Sequence, residues 1–174
     1  MTDPVDQSQE YQQMLQDLVG DADPLEVLDA TAGKVESIVA RVEEGTLHKR
    51  PAEDAWSVAE VIGHLCDTEW VYGYRVRLML SHPEPPIPGY DQDLMTAGLE
   101  HNERHVRQML AEFRTLRQLN VKLYWRARGP AWERVGVHEE RGPESVGLNI
   151  SLTAGHDLLH LRQIERTLAA VQEV

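Results

Sequence analysis

Cysteine is almost absent from this chain of 174 residues: Cys66 stands alone, so no internal disulfide can form. A thiol kept single fits a reducing compartment, and a cytoplasmic location is the expectation. Aromatic residues are few, with one phenylalanine among them. No apolar run reaches the length of a membrane span. Met1-Thr2-Asp3-Pro4 has neither a basic nor an apolar stretch behind it, and a secretory leader is not expected. Positive charge is also scarce. Seventeen Lys and Arg face twenty-nine Asp and Glu, a formal charge of −12. A nucleic-acid face needs clustered cations, and an anionic membrane surface would repel this chain, so neither partner is expected. Repeats and low-complexity tracts are missing too.

What remains is helical patterning broken by proline and glycine. Residues 5–19 read as a short N-terminal helix, with Tyr11, Leu15 and Leu18 on one stripe. Asp23 is a candidate N-cap and Pro24 a first-turn residue for a helix running to about residue 44, its stripe Leu25, Leu28, Ala32, Val35, Val39 and Val42. The next start is marked three ways. Ser57 and Glu60 form a capping box, and Trp56 and Val61 occupy the two positions of a hydrophobic staple. That helix extends to about Ser81 and carries two apolar rows, one of which includes His64.

Residues 82–91 hold four prolines and cannot be helical. They read as a stiff connection or a lid over one bundle end. A third core helix is expected over 94–127, irregular at first around Gly98, with Leu99, Val106, Leu110, Phe113, Leu116 and Leu123 inward. Residues 129–144 form a second long connection with room for a hairpin. Ser145 then caps a last helix reaching about Ala170. Four long helices make a bundle the natural architecture. The division that follows is an N-terminal extension, 1–23, and a bundle, 24–174.

Eight histidines need sorting. His156 and His160 are four apart among apolar neighbours, so they share one helix face. Such a pair can be satisfied by hydrogen bonds within the protein. Adding His64, on an inward row of a different helix, tips the balance toward a divalent ion held by three imidazoles with a position left open. His101 and His105 repeat the spacing, but Glu100, Asn102, Glu103 and Arg104 surround them, and a solvated face is expected. His48 and His82 are expected to be exposed. His138 is a weaker site candidate. Cys66 projects away from His64 and reads as a small buried hydrophobe.

Trp56-Ser57-Val58-Ala59-Glu60 through His64-Leu65 resembles the W-S-x-x-E-x-x-x-H-L segment of the DinB/YfiT-like superfamily. Pro85 to Asp91 is similar to that family's loop before its third helix. His156-Asp157-Leu158-Leu159-His160, followed by Gln163-Ile164, is similar to its closing H-D-x-x-H-x-x-Q-I helix. The likeness spans about residues 24–172. It implies an all-α four-helix bundle with up-down-down-up topology, here with a short extra N-terminal helix. It implies zinc or nickel on His64, His156 and His160, a small-molecule substrate and a homodimer. Two activities are implied. One is transfer of a low-molecular-weight thiol such as bacillithiol to a small electrophile, with the thiol as co-substrate. The other is metal-dependent hydrolysis. A bundle that holds its metal without catalysis is the third reading. Hydrolysis wants a general base, and no carboxylate can be assigned to that part from the sequence. The balance therefore leans to thiol transfer.

Overall fold

The structure, a computed structural model, describes residues 4–172, with side chains from residue 9 onward. Helix α1 spans Pro4–Val19 and α2 spans Pro24–Val39, where the Asp23 side chain accepts from the Leu25 amide. A single turn, α3, covers Glu44–Leu47. Helix α4 spans Val58–Ser81. Its start has the expected reciprocal cap: Ser57 Oγ accepts from Glu60 N at 3.1 Å, and a Glu60 carboxylate oxygen accepts from Ser57 N at 2.8 Å. A pairing of this kind is worth about 1 kcal/mol. Arg50 also pairs with the Glu60 carboxylate, which holds it below the usual carboxylate range despite burial.

The chain then doubles back. Strand β1 (Pro86–Ile87), helix α5 (Gln92–Gly98) and a 3-10 turn (His101–Glu103) return it to the start of α4 before α6 (Val106–Ala127) begins. His101 lies against Gly63, Cys66 Sγ donates to Met109 O, and Asn120 reaches Glu69, so α6 runs parallel to α4. A short sheet follows, with β2 (Val135–His138) parallel to β1 and antiparallel to β3 (Gly142–Ser145). Ser145 Oγ then accepts from Leu148 N and caps α7 (Val146–Gln172).

Helices α2 and α4 each lie against both α6 and α7, which closes a four-helix bundle. Arg117 of α6 meets Leu28 of α2, while Arg114 meets Glu36 and Val106 meets Glu44, so α2 and α6 are antiparallel. His64 meets His156, and Val76 shares a cluster with Val146, so α4 and α7 are antiparallel too. The directions are up, down, down and up. The parallel middle pair is what requires the long return between Ser81 and Val106. Helix α1 lies outside the four, along α7.

Two apolar clusters fill the bundle. One holds Val35, Val58, Leu65, Met109, Phe113 and Ile164; the other holds Leu25, Val76, Met79, Val121, Tyr124 and Ile150. Every bundle helix carries buried polar residues between its contributions to the two: Thr31 on α2, Thr68 and Glu69 on α4, Arg117 and Asn120 on α6, His156, Asp157 and His160 on α7. The site is built into this polar layer.

Several expectations need correction. Helix α2 stops at Val39 rather than residue 44, and the chain turns before α3 restarts it. The expected helix over 94–127 is three pieces. Glu100 takes a left-handed backbone (φ 50°), which ends α5 and redirects the chain. Leu99, expected inward, is consequently exposed; Tyr11, placed on one stripe of α1 with Leu15 and Leu18, is exposed as well. His101, expected on a solvated face, is buried at 1% exposure. His48 is half-buried, its Nδ1 donating to Asn102 O at 2.6 Å. Among the described residues no helix is long and apolar enough to cross a membrane.

Candidate metal centre

His64 sits in the second turn of α4, past a firmly capped start, and its ring points inward at 1% exposure. His156 and His160 rise one turn apart from α7 at 7% and 6% exposure. All three present Nε2 to one another. His64 Nε2 is 2.9 Å from His156 Nε2, which is 3.0 Å from His160 Nε2. Ligands of a tetrahedral ion with bonds of about 2.0–2.1 Å stand about 3.4 Å apart, and the observed spacing approaches that.

Hydrogen bonding supports the same reading of the rings. Three Nε2 atoms facing inward cannot all find donors in each other, since a neutral imidazole carries a single N–H. His160 Nδ1–H donates to Gln163 Oε1 at 2.7 Å, which leaves its Nε2 lone pair aimed at the centre. His64 Nδ1 and His156 Nδ1 are buried without partners. Burial disfavours the protonated forms. The pKa of His64 is lowered to about 3, first by desolvation and then by His160 and His101. That of His156 is pushed well below the ordinary range, again first by desolvation, and His160 shifts the same way. Neutral imidazoles are ready ligands, with no proton to release. Among the described residues this is the cluster of histidine, cysteine and carboxylate groups with metal-ligand spacing, and it contains no carboxylate.

Trp56 roofs the cluster. Its ring lies 5.0 Å from His64 and stacks near-parallel on His160 at 6.4 Å. The residue that precedes the N-cap of α4 thus covers two of the three imidazoles. Beneath the cluster, Arg117 is fully buried between Asp157 and Glu69 and also donates to Leu28 O at 2.7 Å. Burial opposes the guanidinium charge, but Asp157 and then Glu69 more than restore it, so its pKa is raised. Asp157, adjacent to His156 in the chain, is thereby committed to α6.

A second buried pair lies on the other side of His64. His101 Nε2 donates to Asp67 Oδ2 at 2.7 Å, and the ring fits over Gly63. Sequence reasoning missed this pair. A glycine inside an otherwise well-covered helix, one position before His64, was the available signal. His138, the weaker site candidate, is buried in β2 away from the three imidazoles and keeps Nε2 without a partner. Cys66 is buried; its Sγ donates to Met109 O, and burial pushes the thiol up to about 12.

The family model described as DinB superfamily matches residues 28–164. Two proteins of Oceanobacillus iheyensis, both named putative metal-dependent hydrolase, are similar to this chain. One is 21% identical over 145 residues, 83% of each chain; the other is 28% identical over 109 residues, 63% of each. Among solved structures, YfiT from Bacillus subtilis superposes with a TM-score of 0.75 at 19% identity. The match covers 84% of this chain and 86% of that one. That protein is described as a probable metal-dependent hydrolase with an unusual four-helix bundle topology.

Proposed function

We propose that this chain, which belongs to the DinB superfamily, is a divalent-metal-dependent hydrolase whose ion is held by His64, His156 and His160. The observation that carries the reading is the convergence of three buried, neutral Nε2 atoms from two helices on one point. Three imidazole ligands leave a tetrahedral ion one position for water or substrate. A zinc or nickel ion there supplies Lewis acidity and lowers the pKa of whatever ligand takes that position. The names carried by the relatives support hydrolysis.

The chain's own residues would do the rest. Gln163 holds the His160 ring by its Nδ1. Trp56 excludes water from one side of the imidazoles. The two apolar clusters on either side of the polar layer would limit the entry of bulk water, which strengthens electrostatic interactions within it.

Thiol transfer is the second reading, and one observation favours it: the cluster contains no carboxylate to serve as a general base. A small thiol would need only to lose its proton at the site and attack an electrophile. The two readings are separated in one experiment. Protein purified without a nickel column is analysed for metal. It is then assayed against activated esters, and separately with bacillithiol, mycothiol or glutathione plus chlorobimane. Ester cleavage above a His64→Ala control supports hydrolysis, and conjugation above that control supports transfer. Protein that binds neither zinc nor nickel overturns both.

A further inference from the structure

The three imidazoles come from α4 and α7; neither α2 nor α6 supplies one. Whether His64 meets His156 and His160 therefore depends on how each of the two helices is rotated about its own axis. Apolar burial holds helices together but has no direction, so it sets that rotation only loosely. A side chain reaches about 5–6 Å from the helix axis, and a roll of about 10° carries its tip about 1 Å. Metal–imidazole distances tolerate only about 0.2 Å.

Arg117 of α6 grips both ligand helices. Its Nη2 lies 2.8 Å from Glu69 Oε1 on α4 and 3.0 Å from Asp157 Oδ1 on α7. Its Nη1 pairs with Asp157 Oδ2 and donates to Leu28 O on α2 at 2.7 Å. One buried guanidinium thus meets each of the other three bundle helices. Asn120, three residues further along α6, donates to both the carbonyl and the carboxylate of Glu69 at 2.9 Å. The two carboxylates sit on the flanks of their helices. Glu69 is five residues past His64, about 140° round α4, and Asp157 follows His156, about 100° round α7. Each is held by directional, charge-assisted hydrogen bonds. A roll of either helix would have to stretch them.

We propose that Arg117 is a positioning residue for the metal centre, a role that rests on the metal reading above. By tying Glu69 and Asp157 together it sets the roll of α4 and α7 that brings His64 onto His156 and His160. Met79 also packs α4, but about 22 Å beyond His64 along the axis, in the apolar cluster that includes Val76 and Ile150. Packing lost there leaves the imidazoles in place.

The test uses the full chain at a temperature where every variant is folded by circular dichroism. Zinc affinity is measured by competition with a chelator, and the visible spectrum of the cobalt-loaded protein reads the ligand geometry. Arg117→Met should weaken zinc at least about tenfold and alter the cobalt spectrum. Arg117→Lys should fall between it and the parent, since an ammonium lacks the fork that spans two carboxylates. Met79→Ala, destabilised by lost core packing, should bind zinc as the parent does. Should Arg117→Met fail to fold, Glu69→Gln carries the same test. It keeps the size of the side chain, removes the charge that Arg117 holds, and should weaken zinc severalfold with an altered cobalt spectrum. Unchanged zinc affinity or an unchanged cobalt spectrum in Arg117→Met or, where that fails to fold, in Glu69→Gln overturns the proposal. So does Met79→Ala weakening zinc as much as the variant tested. Parent protein that binds neither zinc nor cobalt overturns the metal reading itself, and this role with it.

Discussion

His101 donates from Nε2 to Asp67 Oδ2 at 2.7 Å, across a gap that only the missing side chain of Gly63 leaves open. A Cβ at residue 63 would come within 2.2 Å of His101 Cγ. The Asp67 side chain is 9% exposed, so its carboxylate has little water to turn to if this donor is removed. His101→Ala is therefore expected to cost about 2–3 kcal/mol. Urea denaturation should show a lower midpoint at an unchanged slope. A midpoint equal to that of the parent protein would show that the pair contributes nothing.

The histidine cluster predicts how the metal-free protein responds to acid. Folding holds His64 neutral down to about pH 3 and depresses His156 and His160 as well. In the unfolded chain these side chains take up protons near pH 6.5, about the ordinary histidine value. Below that pH the unfolded state binds more protons, so stability rises with pH through the window and falls as pH drops. Each histidine kept neutral accounts for about 1.4 kcal/mol between pH 7.5 and 5.5. Unfolding free energy measured at those two pH values should fall more in the parent than in a variant with all three changed to leucine. An equal fall in both would mean that the imidazoles are protonated in the folded protein.

The cap of α4 was legible because Ser57, Glu60, Trp56 and Val61 act within one turn of chain, where sequence spacing is spatial spacing. His156 and His160 were legible for the same reason, and His64 through the apolar rows around it. The inward row of α6 was only half legible. Phe113 and Val106 lie inward as their spacing implies, but Arg117 and Asn120 are polar, and their burial depends on Asp157 and Glu69 arriving from other helices. The break at Glu100 lay hidden as well. A left-handed glutamate has no local signature, and it is what turns His101 inward.

Arg117 makes that dependence measurable. Its partners are buried almost completely, Glu69 at 2% and Asp157 at 0% side-chain exposure. Arg117→Met fits the space but leaves two carboxylates facing each other without a cation. The expected loss is about 3–5 kcal/mol, read as a lower melting temperature. Arg117→Met combined with Asp157→Asn should recover part of it, because one uncompensated charge is gone. A double variant no more stable than the single one would place the cost in lost packing rather than in charge.

Two glycines should respond to the same substitution with opposite signs. Gly155 lies one residue before His156, where α1 crosses α7, and an added Cβ there would come within 2.1 Å of Leu15 O. That oxygen is backbone inside a helix, so no rotamer change can make room, and α1 as a unit must lift. Overpacking of this kind costs about 1–3 kcal/mol. Gly33 is in mid-α2, exposed, and a Cβ there meets nothing within 4 Å. Replacing it removes backbone freedom from the unfolded chain and should add about 0.5–1 kcal/mol. Chemical denaturation of Gly155→Ala and Gly33→Ala reads both signs, and limited proteolysis locates the first. In Gly155→Ala, cleavage should speed up around Leu15 and Val19, the buried residues of α1, and remain unchanged in α2. Gly155→Ala as stable as the parent would mean that α1 is not seated on α7 as described, and that the approach to His156 from that side is open.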